Sequence, residues 1–145
     1  MTAEHARDPM IARLRAYWDA RRGDRFAPAR ADIDPVDFGY ALSDICLVDV
    51  VGTPPRFRYR IIGQGLIDRA GFNMTGRFLD ESPEPEFRDR LTQTYGEAVD
   101  TRAPRQGIRG GVLDGRMRRY EYLVLPLSSD GAHVDMLLIA SRFAR

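Results

Sequence analysis

Residues 57–81 read FRYRIIGQGLIDRAGFNMTGRFLDE, and the way this stretch breaks decides the fold. It begins as a strand: Phe57, Tyr59 and Ile61 alternate with Arg58, Arg60 and Ile62, a period of two that sends successive side chains to opposite sheet faces. The alternation stops at Gly63. Gly65, Gly71 and Gly76 cut the next residues into short helical pieces, and the stretch closes on Arg77-Phe78-Leu79-Asp80-Glu81. One long helix would lie flat on the sheet and seal it, whereas broken turns leave space above it. The stretch therefore predicts the wall of a small pocket.

Working outward, Gly52-Thr53-Pro54-Pro55 is a turn, and Ile45–Val51 before it is a strand too apolar to alternate, as expected when both faces are covered. On the other side, Ser82-Pro83 pairs an N-cap with a proline. Phe87, Leu91, Tyr95 and Ala98 or Val99 then recur at helical spacing to about Asp100. Two strands, over 104–113 and 116–127, meet across Asp114-Gly115, a pair suited to a type I′ hairpin. A second hairpin through Ser128-Ser129-Asp130-Gly131 leads into a strand over 133–143.

At the N-terminus, residues 1–7 read as a frayed end. Asp8-Pro9 starts a helix, and Met10, Ile11, Leu14, Tyr17 and Trp18 form one apolar stripe along it. Arg21 and Arg22 suit the negative end of the helix dipole, and Gly23 stops it. Pro28 and Pro35 keep the next segment extended, with a helical turn over 36–43. The order predicts an α+β fold: a five-stranded antiparallel sheet with short helices on one face, and an extra N-terminal amphipathic helix. Residues 1–39 are expected to form the helix and an extended cap, and residues 40–145 the sheet domain. The stripe of Ile11, Leu14 and Trp18 needs a partner, either the free sheet face or a second protomer, and on that ground a homodimer is expected.

Composition removes several function classes. The 22 basic residues are all arginine, so lysine general bases and Schiff-base chemistry are absent. A net charge of +1 gives no electrostatic footprint for nucleic acid. The single cysteine, Cys46, excludes an internal disulfide and a thiolate cluster, and its apolar surroundings read as buried and inert. Two distant histidines, His5 and His133, make no metal site with it. No signal-peptide core and no long apolar run is present, so a soluble cytoplasmic protein without membrane contact is expected.

The element order, Gly63 at the end of the second strand and the Gly71-x-x-x-x-Gly76-Arg77 turn before the longer helix resemble a PAS domain over roughly residues 40–143. More narrowly, the chain resembles bacterial stand-alone PAS proteins. These open on a tryptophan-bearing helix, here Tyr17-Trp18, followed by Arg22-Gly23 and a Pro-x-Arg-x-Asp-Ile-Asp-Pro motif, here Pro28 to Pro35. Tyr59-Arg60-Ile61-Ile62-Gly63 and Leu125-Pro126-Leu127 fit the same group. The resemblance implies a sensory or interaction module, not a catalyst, with a small-molecule ligand, a signalling partner such as a histidine kinase or another regulator, or both.

The family's cofactor chemistries are not expected. Asn73 to Leu79 is similar to the Asn-Cys-Arg-Phe-Leu of flavin-binding light sensors, but Met74-Thr75-Gly76 stands where the reactive thiol would be. No histidine falls on the helix that would ligate haem. Asp80, Glu81, Glu84 and Glu86 read as anions at a helix N-terminus, not as a catalytic pair. The ligand site is expected among Tyr59, Arg60, Phe72, Phe78 and Tyr95, with Arg60 reaching an anionic ligand bidentately. Two other readings stay open: an interaction adaptor whose pocket is filled by its own side chains, and a small cone-shaped enzyme of the ketosteroid-isomerase type.

Overall fold

The computed structural model describes residues 8–113 and 115–143; the expected frayed end with His5, and Asp114 of the first hairpin turn, lie outside the described residues. Helix α1 spans Pro9–Arg22, as its signals require. Asp8 accepts a hydrogen bond from the Met10 N–H at 2.8 Å, Pro9 comes next, and Gly23 ends the helix at φ +59. Short 3₁₀ turns at Arg30–Asp32 and Pro35–Asp44 lead into β1 (Ile45–Val51) and β2 (Arg56–Ile62). Helix α2 (Gln64–Ala70), a 3₁₀ turn at Leu79–Glu81 and helix α3 (Pro85–Thr101) come after them, and then β3 (Arg105–Leu113), β4 (Arg116–Leu127) and β5 (Met136–Phe143). The strands form one sheet in the order β2-β1-β5-β4-β3, with every pairing antiparallel.

Both faces of this sheet are covered, which explains the unbroken apolar runs in β1, β4 and β5. On the outer face, Ile45, Leu47, Leu123, Leu125, Leu127 and Leu138 pack against Met10, Ile11, Leu14 and Trp18 of α1. The Trp18 indole donates to the Pro126 carbonyl at 2.8 Å, so its one polar group is satisfied inside that core. The α1 stripe is thus spent within the chain. Ile11, Leu14 and Trp18, expected to seek the free sheet face or a second protomer, lie on the sheet face, and the homodimer expected through them loses that surface. On the inner face, Val48, Phe57, Tyr59, Val124, Leu137 and Ile139 pack under α3, the Leu79 turn and Met74.

Three expectations shift. A β-bulge lies between Leu47 and Val48, where Leu47 pairs with Ile61 and Val48 with Tyr59, so Arg60 is the extra residue. The alternation flips there: Ile62, expected opposite Tyr59, joins it on the inner face, and Ile61 turns outward. Helix α3 begins at Pro85 instead of at the Ser82-Pro83 signature, because Glu84 precedes a proline and stays extended at φ -99, ψ 94. Strand β5 begins at Met136 instead of residue 133. Asp130 accepts from the N–H groups of Ala132 and His133, each at 2.8 Å, and holds this segment in the turn.

The α1 docking has a direct test. Leu14→Ala empties a fully buried site between helix and sheet and should destabilise the protein by about 2–5 kcal/mol, measured by urea unfolding. The exposed Ala16→Ser should stay within about 0.5 kcal/mol. Equal midpoints for the two variants would mean that α1 contributes nothing to the sheet's stability.

Candidate ligand cavity

The site depends on how α2 is held. Gly63 donates to the Ile45 carbonyl at 2.7 Å, and Gly65 donates to the Ser43 hydroxyl at 3.0 Å. A Cβ at Gly63 would fall 2.5 Å from the carbonyl oxygens of both Leu42 and Ser43, so only glycine lets the two backbones cross. This crossing hangs α2 on the Pro35–Asp44 turn at the edge of the sheet. Gly71 ends the helix after seven residues in the left-handed region at φ +80. Asn73 then accepts from the Thr75 N–H at 2.9 Å, closing an Asx turn. Gly76 donates to the Tyr59 carbonyl at 2.7 Å and Tyr59 donates to that of Arg77 at 2.9 Å, which ties the segment to the free edge of β2.

Between α2 on one side and α3 on the other remains a cavity of about 90 Å³. Its floor is Cys46, Tyr59, Ile139 and Ser141 from the sheet. Leu66, Ile67, Ala70, Phe72 and Met74 form one wall, and Phe87, Leu91 and Tyr95 of α3 the other, with Phe143 at the end of β5. No carboxylate, arginine or histidine is among these lining residues.

Of the five residues expected at the ligand, the structure brings together Tyr59, Phe72 and Tyr95. Arg60 and Phe78 lie elsewhere. Arg60 is exposed and donates to Asp49 at 2.9 Å, beside Arg58 at 3.2 Å, because the strand alternation puts both arginines on the face opposite Tyr59, away from the cavity. Phe78 makes a single bridge with Arg58 along the β2 edge, and its ring sits under the Arg56 guanidinium at 3.7 Å. Arg56 in turn grips Asp80 with two hydrogen bonds, at 2.7 and 2.9 Å, which hold that carboxyl below its ordinary range. Cys46, Met74 and Ser141 were not foreseen. Cys46 lies in a run too uniformly apolar to assign a face, but Ser141 stands out as a polar residue in an apolar strand.

The cavity's polar groups are few and neutral. Burial pushes the Cys46 thiol up to about 12, so it is protonated and inert. Burial also raises the hydroxyls of Tyr59 and Tyr95, which interact with each other. The Phe57 ring meets Tyr95 edge-on at 5.5 Å and 83°, fixing the latter's orientation. Elsewhere, among the described residues, no cluster of three His, Cys, Asp or Glu side chains could hold a metal, and no helix is long and apolar enough to cross a membrane.

A five-stranded antiparallel sheet, capped on its inner face by one short and one longer helix around a small apolar cavity, defines the class of α+β fold. The chain belongs to the PAS domain family, whose pattern it matches over residues 6–139. No curated protein matches it. Among solved structures it is similar to the PAS domain of Bordetella pertussis BvgS, with a TM-score of 0.60 and 17% identity over 76% of this chain and 82% of that one. It is also similar to the sensory box sensor histidine kinase from Vibrio cholerae, at TM-score 0.56 and 16% identity over 75% and 87%. A light-oxygen-voltage domain studied with a flavin analogue gives TM-score 0.56 and 13% identity over 76% and 83%. At these identities the likeness is one of fold. That fold confirms the expected architecture.

The raised phenols make stability depend on alkaline pH. Tyr59 and Tyr95 ionise more readily unfolded, near 10.0, than folded, so their contribution is complete below pH 10 and is lost as pH rises above it. The urea midpoint should therefore fall above about pH 10. In Tyr59→Phe/Tyr95→Phe the fall should be shallower; an unchanged slope would place both hydroxyls in water.

Proposed function

We propose that this chain is a cytoplasmic sensory PAS module that binds a small, mainly apolar ligand between its sheet and helices and reports occupancy to a signalling partner. The observation that carries the reading is the cavity walled by α2, Phe72, α3 and Tyr59, in a protein whose remaining core is closely covered. Clefts of this kind, apolar with a few convergent polar groups, are the usual form of ligand sites. A histidine kinase or another regulator is the class of partner that fits, since a similar domain belongs to a sensor histidine kinase. Binding would act by favouring one arrangement of α2 and the Phe72–Gly76 segment over another. A homodimer is not needed, because the α1 stripe is buried on its own sheet.

Neither flavin nor haem belongs to this reading. A cavity of about 90 Å³ falls well below the roughly 300–1,000 Å³ of pockets that enclose drug-sized ligands. Its lining offers no amide side chain to read a flavin ring and no histidine for haem iron. His133 is exposed, with its ring 2.8 Å from Asp130. The ketosteroid-isomerase reading is disfavoured because no carboxylate lines the cavity. The same small volume favours the adaptor reading, in which partner contacts alone carry function.

Ligand screening by thermal shift separates these. A ligand at about one hundred times its Kd should add about 2.7 kcal/mol of stability. The cavity-filling Ala70→Leu should remove that response while leaving the unliganded protein folded. A wild type that no small molecule stabilises, yet that still captures a kinase, would decide for the adaptor.

A further inference from the structure

Beside the cavity, α3, β3 and β4 enclose polar atoms that lack partners. Arg109 of β3 donates through Nη2 to the Thr94 hydroxyl of α3 at 2.9 Å, and its guanidinium lies 4.6 Å from the centre of the Tyr122 ring. Thr94 is buried and donates its own proton to the Arg90 carbonyl at 3.0 Å, so its oxygen is turned to receive the guanidinium. The arginine is thereby held in one place. Yet among the described residues it has no carboxylate partner, whereas Arg90 next to it is paired with Glu86 at 2.9 Å. Arg109 Nη1 is buried and has no hydrogen-bond partner.

The same is true of the Tyr120 phenol proton. Tyr120 pairs with Arg109 across the two strands, is only 4% exposed, and its hydroxyl proton has no acceptor among the described residues. The two groups are cross-strand neighbours: burial pushes this phenol up, while the charge of Arg109 and a hydrogen bond with it pull it down. The phenol oxygen can accept from the guanidinium, but the phenol proton and the remaining guanidinium N–H have no acceptor, a cost that an incoming oxyanion would return. The pair lies outside the cavity lining, with the rings of Phe87 and Phe143 between them and the cavity. The Tyr120 ring packs on Phe143 at 4.9 Å and on Phe87 at 6.3 Å, and both of those rings line the cavity.

We propose that the ligand is an amphipathic monocarboxylate, with its head group on Arg109 Nη1 and the Tyr120 hydroxyl and its short apolar tail passing Phe87 and Phe143 into the cavity. This rests on the reading of the cavity as a ligand site. One guanidinium N–H and one hydroxyl match the two oxygens of a carboxylate, and the neighbouring Arg90 is already committed to Glu86 and the Gly110 carbonyl. The tail is limited by volume. An apolar cavity of about 150 Å³ accepts benzene, and this one, at about 90 Å³, suits a chain of a few carbons.

Calorimetric titration with hexanoate and with hexan-1-ol, at pH 7, tests the head group separately from the tail. The wild type should bind hexanoate at least about tenfold more tightly than the alcohol, the strength of a charge-assisted hydrogen bond. Arg109→Met keeps the aliphatic stem and should bring the two affinities together. Tyr120→Phe, which removes only a buried hydroxyl, should reduce the preference and keeps the test open should Arg109→Met fail to fold. Equal binding of acid and alcohol by the wild type would overturn the head-group assignment and leave the cavity reading standing, as would a full preference retained in both variants. Binding of neither compound would overturn both.

Discussion

The close crossing of two backbones at Gly63 governs the inner half of this structure. A Cβ there would press into two carbonyl oxygens, and the Gly65 N–H needs the Ser43 hydroxyl just beyond. With both met, α2 is suspended from the Pro35–Asp44 turn and cannot lie down on the sheet. The rest of the segment inherits that offset: the left-handed stop at Gly71, the Asx turn at Asn73, and the return of Gly76 to the edge of β2. The cavity is the space this offset leaves between α2 and α3.

The sheet beneath is thin and shared. Cys46 and Ile139 face the cavity, and their immediate neighbours Ile45, Leu47, Leu138 and Ala140 face α1. In the proposed sensory role, a ligand pressing on the inner face is one strand away from the Leu14 and Trp18 contacts on the outer face. Close-packed layers of this kind shift between discrete arrangements instead of deforming smoothly, which is what a switch requires. The exposed ion pairs, Arg56 with Asp80 and Arg60 with Asp49, sit away from this axis and are worth little in water.

Much of this was legible in the residues. Asp8-Pro9, the Leu14 and Trp18 stripe and the Phe87, Leu91, Tyr95 spacing named α1 and α3, since capping and helical periodicity are local. The glycines of residues 63–76 announced a broken segment and hence a pocket. What could not be read was non-local. The bulge opposite Leu47 and Val48 depends on pairing between strands, and it turned Ile61 outward and brought Ile62 to the cavity side. Phe78 is placed by an edge bridge that no periodicity encodes. Arg109 and Tyr120 looked like ordinary strand residues, and only the packing of α3 across them revealed a guanidinium N–H and a phenol proton left unpartnered.

The most direct measurement is a high-resolution crystal structure of the protein purified from its own cells without added ligand. The account predicts continuous density between Tyr59, Leu91 and Tyr95 that no protein atom explains, extending past Phe87 or Phe143. A cavity closed by Met74, Phe87 or Phe143, with no such density and no room for a small molecule, would contradict it.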